Sequence, residues 1–232
     1  AMSQKSSEMK AQGIDVINMS VGEPDFMTPD HVKEAGKKAI DDNFSKYSPV
    51  PGYPVLREAI VKKLKQENHL DYAVSEIVVG TGGKQGVCNA ILALVNPGDE
   101  VIIPAPYWVS YPQMVKLAGG VPVIVSAGIE QDFKITAEQL EHAITPKTKM
   151  IILCSPSNPT GSVYSAEELE SLAKVVLAHD DLFVLSDEIY EHINYIGGHC
   201  SIASCQGMKD RTILCNGVSK AYAMTGWRLG WI

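Results

Sequence analysis

Lys220 stands among small and apolar residues, in the stretch Asn216-Gly-Val-Ser-Lys-Ala-Tyr-Ala-Met-Thr-Gly-Trp-Arg228. Desolvation in such surroundings lowers the pKa of an ammonium group, and the neutral amine that results is a nucleophile that forms Schiff bases with carbonyl compounds. The alternative interpretation is a solvated surface lysine, the usual environment of this residue type. The choice depends on which other groups the fold brings near Lys220.

A carboxylate in a second stretch, Ser186-Asp-Glu-Ile-Tyr190, is the next candidate. Asp187 comes directly after an apolar run, so its charge would be partly buried and would need a partner. A protonated pyridine nitrogen would serve, and a metal ion or an acid/base pair with Glu188 are alternatives. Adjacent residues of an extended chain point to opposite faces, which argues against the pair.

The turn Gly80-Thr-Gly-Gly-Lys-Gln-Gly86 has the composition of an anion-binding site. A glycine-rich turn that opens a helix exposes free amides and the positive end of the helix dipole, and both favour a phosphate. A nucleotide-binding P-loop would need Ser or Thr where Gln85 stands. The spacing of the glycines is closer to a dinucleotide fingerprint, but no acidic residue ends the following strand. A tight structural turn remains the alternative.

Two further turns carry single candidate side chains. Trp108 ends the run after Pro104 and could stack on a flat ligand, although core packing is the commoner role of such an aromatic residue. Asn158 lies in Ser155-Pro-Ser-Asn-Pro-Thr-Gly161, where the prolines fix a rigid turn and orient its amide. A plain turn is the alternative there.

Short apolar runs separated by amphipathic segments must position these groups. The runs are 76–80, 100–104, 121–125, 150–154, 182–185 and 212–215. They lack strict alternation, which is typical of strands buried on both faces of a parallel sheet. Helix patterns lie at about 30–43, 54–68 and 84–94, and further helices begin after Thr136 and Ser165, each followed three residues later by Gln or Glu as in a capping box. The order predicts a three-layer α/β/α fold with a mostly parallel, doubly wound sheet, whose ligands bind at the carboxyl ends of the strands.

The 232 residues divide into a predicted N-terminal segment, 1–29, that borders the site and a large domain, 30–232. The sequence stops just after Gly230, at the start of what resembles another strand, so we expect the large domain to be incomplete at its C-terminal end.

Composition excludes several classes of protein. A formal charge of −7 disfavours nucleic-acid binding, which needs a basic face. No apolar run approaches the roughly 18 residues that span a membrane. Five cysteines, without a C-x-x-C pair, favour a reduced, cytoplasmic setting. Cys154 and Cys215 are expected in the core, and a metal site at His199, Cys200 and Cys205 is the less favoured reading of that loop; we predict no metal.

Taken together, the motifs resemble those of fold-type I, class I aminotransferases of the aspartate aminotransferase family, which use pyridoxal 5'-phosphate. The resemblance rests on S-P-S-N-P-T-G, S-D-E-I-Y and S-K-A-Y-A-M-T-G-W-R-L-G, joined by Ser20-Val-Gly-Glu-Pro-Asp-Phe26 and by Lys46-Tyr-Ser-Pro-Val-Pro-Gly52. It covers essentially the whole chain.

The resemblance implies a role for each candidate. Lys220 would form a Schiff base with the cofactor aldehyde and carry protons, and Asp187 would pair with the ring nitrogen. Tyr190 and Asn158 would hydrogen-bond the phenolic oxygen of the cofactor, and Trp108 would stack on its ring. The phosphate would be held by the amides near Gly82, Gly83 and Lys84, by Ser219 and Arg228, and by Tyr47 of a neighbouring subunit. The substrate would be bordered by Gly22, Trp108 and Asn158. Shared sites of this kind imply a homodimer acting on amino acids, foremost aspartate, and on 2-oxo acids.

Two departures and two alternatives accompany the resemblance. Gly217 stands where many relatives have a serine that grips phosphate, and Ser219 or Thr81 would have to compensate. The resemblance also implies a C-terminal small domain with a carboxylate-binding arginine, and we expect that domain to be missing from the 232 residues. Aromatic, alanine or methionine aminotransferases share the motifs. A regulatory module that binds the cofactor without catalysis, and a nucleotide-dependent oxidoreductase, are the other classes considered.

Overall fold

The structure, a computed structural model, describes residues 2–17 and 22–232. Ser20 and Val21 of the first N-terminal motif lie outside the described residues. The helices are α1 (Met2–Ala11), α2 (Asp30–Asp41), α3 (Pro54–Glu67), α4 (Gly83–Leu94), α5 (Tyr111–Leu117), α6 (Ala137–Ala143) and α7 (Ala166–Leu177). The strands are β1 (Val79–Gly80), β2 (Glu100–Ala105), β3 (Val121–Ser126), β4 (Thr148–Cys154), β5 (Phe183–Asp187), β6 (Thr212–Gly217) and β7 (Gly230–Trp231).

Within the described ranges the strands form one seven-stranded sheet in the order β1-β7-β6-β5-β4-β2-β3. The pairs from β3 across to β6 are parallel, whereas β7 is antiparallel to both β6 and β1. The predicted mostly parallel, doubly wound sheet is confirmed. The carboxyl ends of four parallel strands, β2, β4, β5 and β6, therefore lie at one edge.

Two of the predicted strands differ from expectation. The run 76–80 yields only Val79–Gly80 as a strand, because Val74–Glu76 forms a 3₁₀ turn, and β1 pairs antiparallel with β7 instead of extending the parallel set. β3 was expected to be buried on both faces, yet Val121 and Ile124 are exposed. β3 is the last strand in the order of the described sheet, so no further strand lies along its outer side to shield its side chains.

Two hydrophobic clusters cover opposite faces of the sheet and confirm the three layers. Ile102 of β2 packs with the α6 and α7 side chains Leu140 and Leu172, whereas Val101 packs with α4 residues such as Ile91. Neighbouring residues of one strand thus face different helix layers, which is the alternation that a strand imposes. A third cluster joins α3 to β6 and β7.

Local sequence signals set the helix starts next to the site. Thr136 and Ser165 form the predicted capping boxes of α6 and α7, with their side chains accepting from the amides of Gln139 and Glu168. Gly82 precedes α4 with φ of 79°, a left-handed conformation that favours glycine. Among the described residues, no helix combines the length and the apolar character needed to cross a lipid bilayer.

Replacing the Ser165 cap tests the α7 assignment. Ser165→Ala removes the acceptor of the Glu168 amide, 3.2 Å away, and is expected to lower the free energy of unfolding by about 1 kcal/mol, measured by urea denaturation. Ser171→Ala, inside α7, is the matched control and should change it by about 0.5 kcal/mol or less, because alanine favours the helix interior. Equal effects of the two substitutions would contradict the capping role.

Candidate active site

A cleft of about 340 Å³ opens where the strands β4, β5 and β6 end. Ten of the residues predicted from the sequence line it: Gly22, Gly83, Lys84, Trp108, Asn158, Asp187, Tyr190, Ser219, Lys220 and Arg228. They come from six separate stretches of chain. The convergence is what a parallel sheet produces, because each strand delivers the loop that follows it to the same edge.

Asp187, the last residue of β5, is 6% exposed at the base of the cleft. Its Oδ2 accepts a hydrogen bond of 2.7 Å from the hydroxyl of Tyr111, and its Oδ1 accepts one of 3.3 Å from the amide of Ile189. Burial raises the pKa of this carboxyl, while the bonds from Tyr111 and Ile189 oppose the rise. In the part of the chain that the structure describes, no ion pair involves Asp187, so its charge lacks a cationic partner.

Lys220 lies across the cleft, in the turn after β6, and its Nζ donates to the backbone oxygen of Gly22. The same Nζ is 5.8 Å from the centre of the Tyr190 ring. Desolvation lowers the pKa of Lys220, with the positive charge of Arg228 acting in the same direction and Glu23 opposing it. A half-buried amine with a lowered pKa is suited to act as a nucleophile, which favours this interpretation over that of a fully solvated surface lysine.

The glycine-rich turn and Arg228 lie together at one end of the cleft, where their chemistry would suit an anion. The start of α4 presents its unpaired amides at Gly83 and Lys84, where the helix dipole is positive. A Cβ on Gly82 would clash with the guanidinium of Arg228, so Gly82 touches the site without lining it. Arg228 has φ of 55° and its Nη1 donates to the oxygen of Thr225 at 2.6 Å, which fixes the guanidinium beside the turn. Amides plus a guanidinium suit a phosphate.

Glycine at two nearby positions follows from close packing. A Cβ on Gly217 would lie 2.8 Å from the backbone oxygen of Leu229, and one on Gly230 would lie 2.5 Å from the amide nitrogen of Gly83. The chain therefore has no room for a serine at 217 without a shift of β7. Ser219 lines the cleft, and Thr81 lines an adjoining groove with Arg228.

Three side chains complete the walls between the two ends. Asn158 donates from Nδ2 to the hydroxyl oxygen of Tyr190 at 3.2 Å. Burial raises the pKa of Tyr190, which keeps the phenol protonated and able to donate into the cleft. Trp108 packs edge-on against Tyr111, with ring centres 5.3 Å apart, and the Nζ of Lys84 lies 4.8 Å from the Trp108 ring centre.

Tyr47 is the predicted site residue that the structure keeps away from the cleft. Its side chain is fully exposed on the surface of this single chain, 106% of the reference area. The prediction concerned the site of a neighbouring subunit, and it stays a prediction.

Sequence reasoning missed Glu23, Tyr111, Cys154, Ile189 and Thr225 of the cleft lining. Tyr111 had a detectable signal, because it follows Trp108 by one helical turn at the start of α5. Cys154 packs against the core as predicted, and because it ends β4 it also lines the cleft, where burial raises the pKa of its thiol to about 12. Cys215 is buried as expected, and all five cysteines, each within the described residues, are free thiols.

The loop of His199, Cys200 and Cys205 does not bring these side chains together as a metal site would require. In the described ranges, the groups close enough to bind a metal contain His199 or His192 with two glutamates, and neither contains a cysteine. His199 instead contacts Glu188, which faces away from Asp187 as the extended chain predicted.

Comparisons with known proteins agree with this geometry. The model of the family described as aminotransferase class I and II matches residues 14–232. An aspartate/prephenate aminotransferase of Cereibacter sphaeroides is 53% identical over the whole chain, and an aspartate aminotransferase of a Bacillus species is 52% identical. The aspartate aminotransferase of Thermus thermophilus with maleate superposes with a TM-score of 0.95 at 46% identity, over 99% of this chain and 59% of that one.

The fold and cleft thus define a large domain of the kind found in fold-type I enzymes dependent on pyridoxal phosphate. The chain belongs to the aminotransferase class I and II family. It spans 58% of the length of the Cereibacter relative and 59% of the Bacillus one.

The buried charge of Asp187 leads to a prediction about pH. The folded state raises its pKa, so the stability linked to this group is fully present below the unfolded pKa of about 3.9 and is lost as pH rises through the folded pKa. Asp187→Asn removes the charge, and should stabilise the cofactor-free protein at pH 8 by on the order of 1–3 kcal/mol. The gain should shrink towards pH 4, as measured by urea denaturation across this range.

The exposed Asp181 provides the control for this experiment. Asp181→Asn removes the same charge where water solvates it, and should leave the dependence of stability on pH unchanged. A destabilisation by Asp187→Asn at pH 8 would mean that the carboxylate has a compensating cation, contrary to the geometry.

Proposed function

We propose that the whole protein is a pyridoxal-phosphate-dependent aminotransferase, which moves an amino group between aspartate and a 2-oxo acid such as 2-oxoglutarate. The observation that carries the proposal is the cleft itself. One space is lined by a half-buried amine with a lowered pKa, by a buried carboxylate that has no cationic partner among the described residues, and by a glycine-rich helix start, and this combination supports the proposal.

The cleft fits the cofactor at both ends. Asp187 has no cationic partner among the described residues, and the protonated ring nitrogen of the cofactor would supply one. The amides of the α4 start and the guanidinium of Arg228 match the phosphate at the other end. When bound, the cofactor withdraws electrons from the α-carbon of the amino acid.

Lys220 has two tasks in this proposal. When the cofactor is bound, the Nζ would hold it at its aldehyde carbon, and the lowered pKa favours the neutral amine that this requires. When it is free, the same nitrogen would take the proton from the substrate α-carbon. The backbone oxygen of Gly22 accepts from Nζ and orients it towards the cleft.

The remaining residues orient the ring and the substrate. Asp187 would keep the ring nitrogen protonated. Tyr190 and Asn158, which are linked by a hydrogen bond, would hold the phenolic oxygen, and Trp108 would cover the ring face. Gly22, Trp108 and Asn158 border the place for the substrate.

The substrate class follows from the relatives, and aspartate is the first choice. Several relatives at 49–54% identity carry the name aspartate/prephenate aminotransferase, so prephenate is a second candidate amino acceptor. Steady-state rates of the whole protein with aspartate and either 2-oxoglutarate or prephenate decide between them. If the whole protein binds the cofactor but turns over no amino acid, the result would instead support the non-catalytic regulatory module.

Assembly and location complete the proposal. We propose a homodimer in which Tyr47, exposed in the single chain, reaches the phosphate bound by the neighbouring subunit. Residues 1–29 would border the active site as a separate segment, since Gly22 and Glu23 line the cleft, and 30–232 would form the cofactor-binding domain. The cytoplasmic location stays a prediction from the free cysteines.

Trapping the attached cofactor tests Lys220 directly. Borohydride reduction of the whole protein should fix the cofactor to the peptide that contains Lys220, detected by mass spectrometry, and Lys220→Ala should lose this label because the amine is gone. Lys174→Ala, on the exposed side of α7, is the control and should label as wild type does. Undiminished labelling of the Lys220→Ala protein would refute the assignment.

The anion-binding end makes a separate prediction. Arg228→Ala removes a charge-assisted contact worth about 1.5–3 kcal/mol, so the dissociation constant of the cofactor should rise by roughly 10–150-fold. The dissociation constant for Arg228→Lys should lie between those of the wild type and of Arg228→Ala, because lysine keeps the positive charge but lacks the planar guanidinium. Titration of the cofactor-free protein, followed by fluorescence, measures both. Unchanged affinity in Arg228→Ala would place the phosphate elsewhere.

A further inference from the structure

A second buried carboxylate lies immediately behind the first. Glu188 is 1% exposed and follows Asp187 in the chain, but it points to the opposite side of the segment, away from the cleft. Its Oε1 accepts from the hydroxyls of Ser186 at 2.8 Å and Ser201 at 2.6 Å. A buried carboxylate is stable only when its oxygens are satisfied in this way.

His199 completes the set of donors around Glu188. Its Nε2 lies 2.7 Å from Oε2 of Glu188, and the His199 side chain is 8% exposed. An ionised carboxylate only accepts, so Nε2 carries the proton. The other ring nitrogen, Nδ1, is buried without a hydrogen-bond partner among the described residues, so the contact with Glu188 is the polar anchor of this ring.

The backbone of Glu188 is fixed as well. Its amide donates to the oxygen of Cys215 at 2.9 Å, which continues the β5–β6 pairing one residue beyond Asp187. The next amide, that of Ile189, holds Oδ1 of Asp187. A movement of Glu188 is therefore transmitted to Asp187 through one peptide bond and through the amide that orients its carboxylate.

A metal ion is the competing occupant of this region. Atoms of Glu188, Glu191 and His199 lie within 4.8 Å of one another. However, Glu191 already pairs with the ammonium group of Lys63 and accepts from Asn68 and Asn216. The donors around both carboxylates occupy the lone pairs that a metal would need, so the arrangement is that of a hydrogen-bonded support.

We infer that Glu188, held by Ser186, His199 and Ser201, is a positioning residue that fixes Asp187 against the ring nitrogen of the cofactor. The inference rests on the proposed function for the identity of the ring. The support itself belongs to the protein alone and exists without the cofactor. Sites need their reacting groups held within about 0.5 Å, and such supporting groups provide that precision.

Glu188→Gln tests the inference in the whole protein, because it keeps the shape and replaces one acceptor oxygen by an amino group. In the cofactor-free protein, we expect faster hydrogen exchange in peptides covering 183–191. In the cofactor-loaded protein, we expect a dissociation constant raised by about tenfold, the size typical of groups that orient a ligating side chain. The pH midpoint of the bound cofactor's absorbance should shift too.

Glu168→Gln is the matched control. Glu168 also accepts hydrogen bonds from its own surroundings, at the start of α7 and from Lys134, but it is remote from the cleft. Glu168→Gln should lower the stability of the protein. It should leave hydrogen exchange at 183–191, cofactor affinity and cofactor absorbance unchanged. If Glu188→Gln behaves as Glu168→Gln does in all three measurements, Glu188 is merely structural and the inference is wrong.

A pair of substitutions at the donor separates positioning from packing. His199→Gln keeps an N–H donor near the position of the histidine Nε2, so this variant should retain most of the wild-type behaviour. His199→Phe keeps a ring but removes the donor, so it should show the same changes as Glu188→Gln. If the His199→Gln and His199→Phe proteins give the same hydrogen exchange, cofactor affinity and absorbance, the inference is wrong. This comparison remains decisive even if Glu188→Gln fails to fold. If the wild-type protein binds no cofactor, the proposed function fails, while hydrogen exchange at 183–191 still decides whether Glu188 holds the segment.

Discussion

The placement of a carboxylate at the buried end of a central strand is the constraint on which the site depends. Asp187 lies between two parallel neighbours, β4 and β6, where burial limits the solvation of its charge. The hydroxyl of Tyr111 and one backbone amide supply hydrogen bonds without supplying a positive charge. A folded chain that keeps such a group gives up stability for the ability to bind a cation in a defined orientation.

The topology explains how distant residues meet that carboxylate. Parallel strands bring the loops after β2, β4, β5 and β6 to one edge, and these loops supply Trp108, Asn158, Tyr190 and Lys220 in turn. The antiparallel pair of β7 with β6 then brings Arg228 back to the start of α4, because Gly230 lets the two backbones approach. The positions of Lys220 and Arg228 at the cleft are therefore set by one sheet and its order of strands.

The sequence alone predicted the parts of this arrangement that depend on local patterns. Apolar runs located β2, β4, β5 and β6, and the capping boxes located α6 and α7. The antiparallel pairing of β1 could not be predicted, because Val79–Gly80 finds its partner in β7, about 150 residues further along the chain. Tyr111 has a local signal in its spacing from Trp108, but its hydrogen bond to Asp187, 76 residues along the chain, depends on the fold in the same way.

The segment after β5 also shows why adjacent acids need not share a role. The extended backbone sends Asp187 and Glu188 to opposite sides, so the first meets the cleft and the second meets Ser201 and His199. An apolar residue at 188 would bury area at that site, but it would fix no direction, because the hydrophobic effect is not directional. Hydrogen bonds are directional, and a buried carboxylate that accepts three of them holds the backbone beside Asp187 in one orientation. The support behind the cleft is polar because orientation, more than burial, is what the site requires.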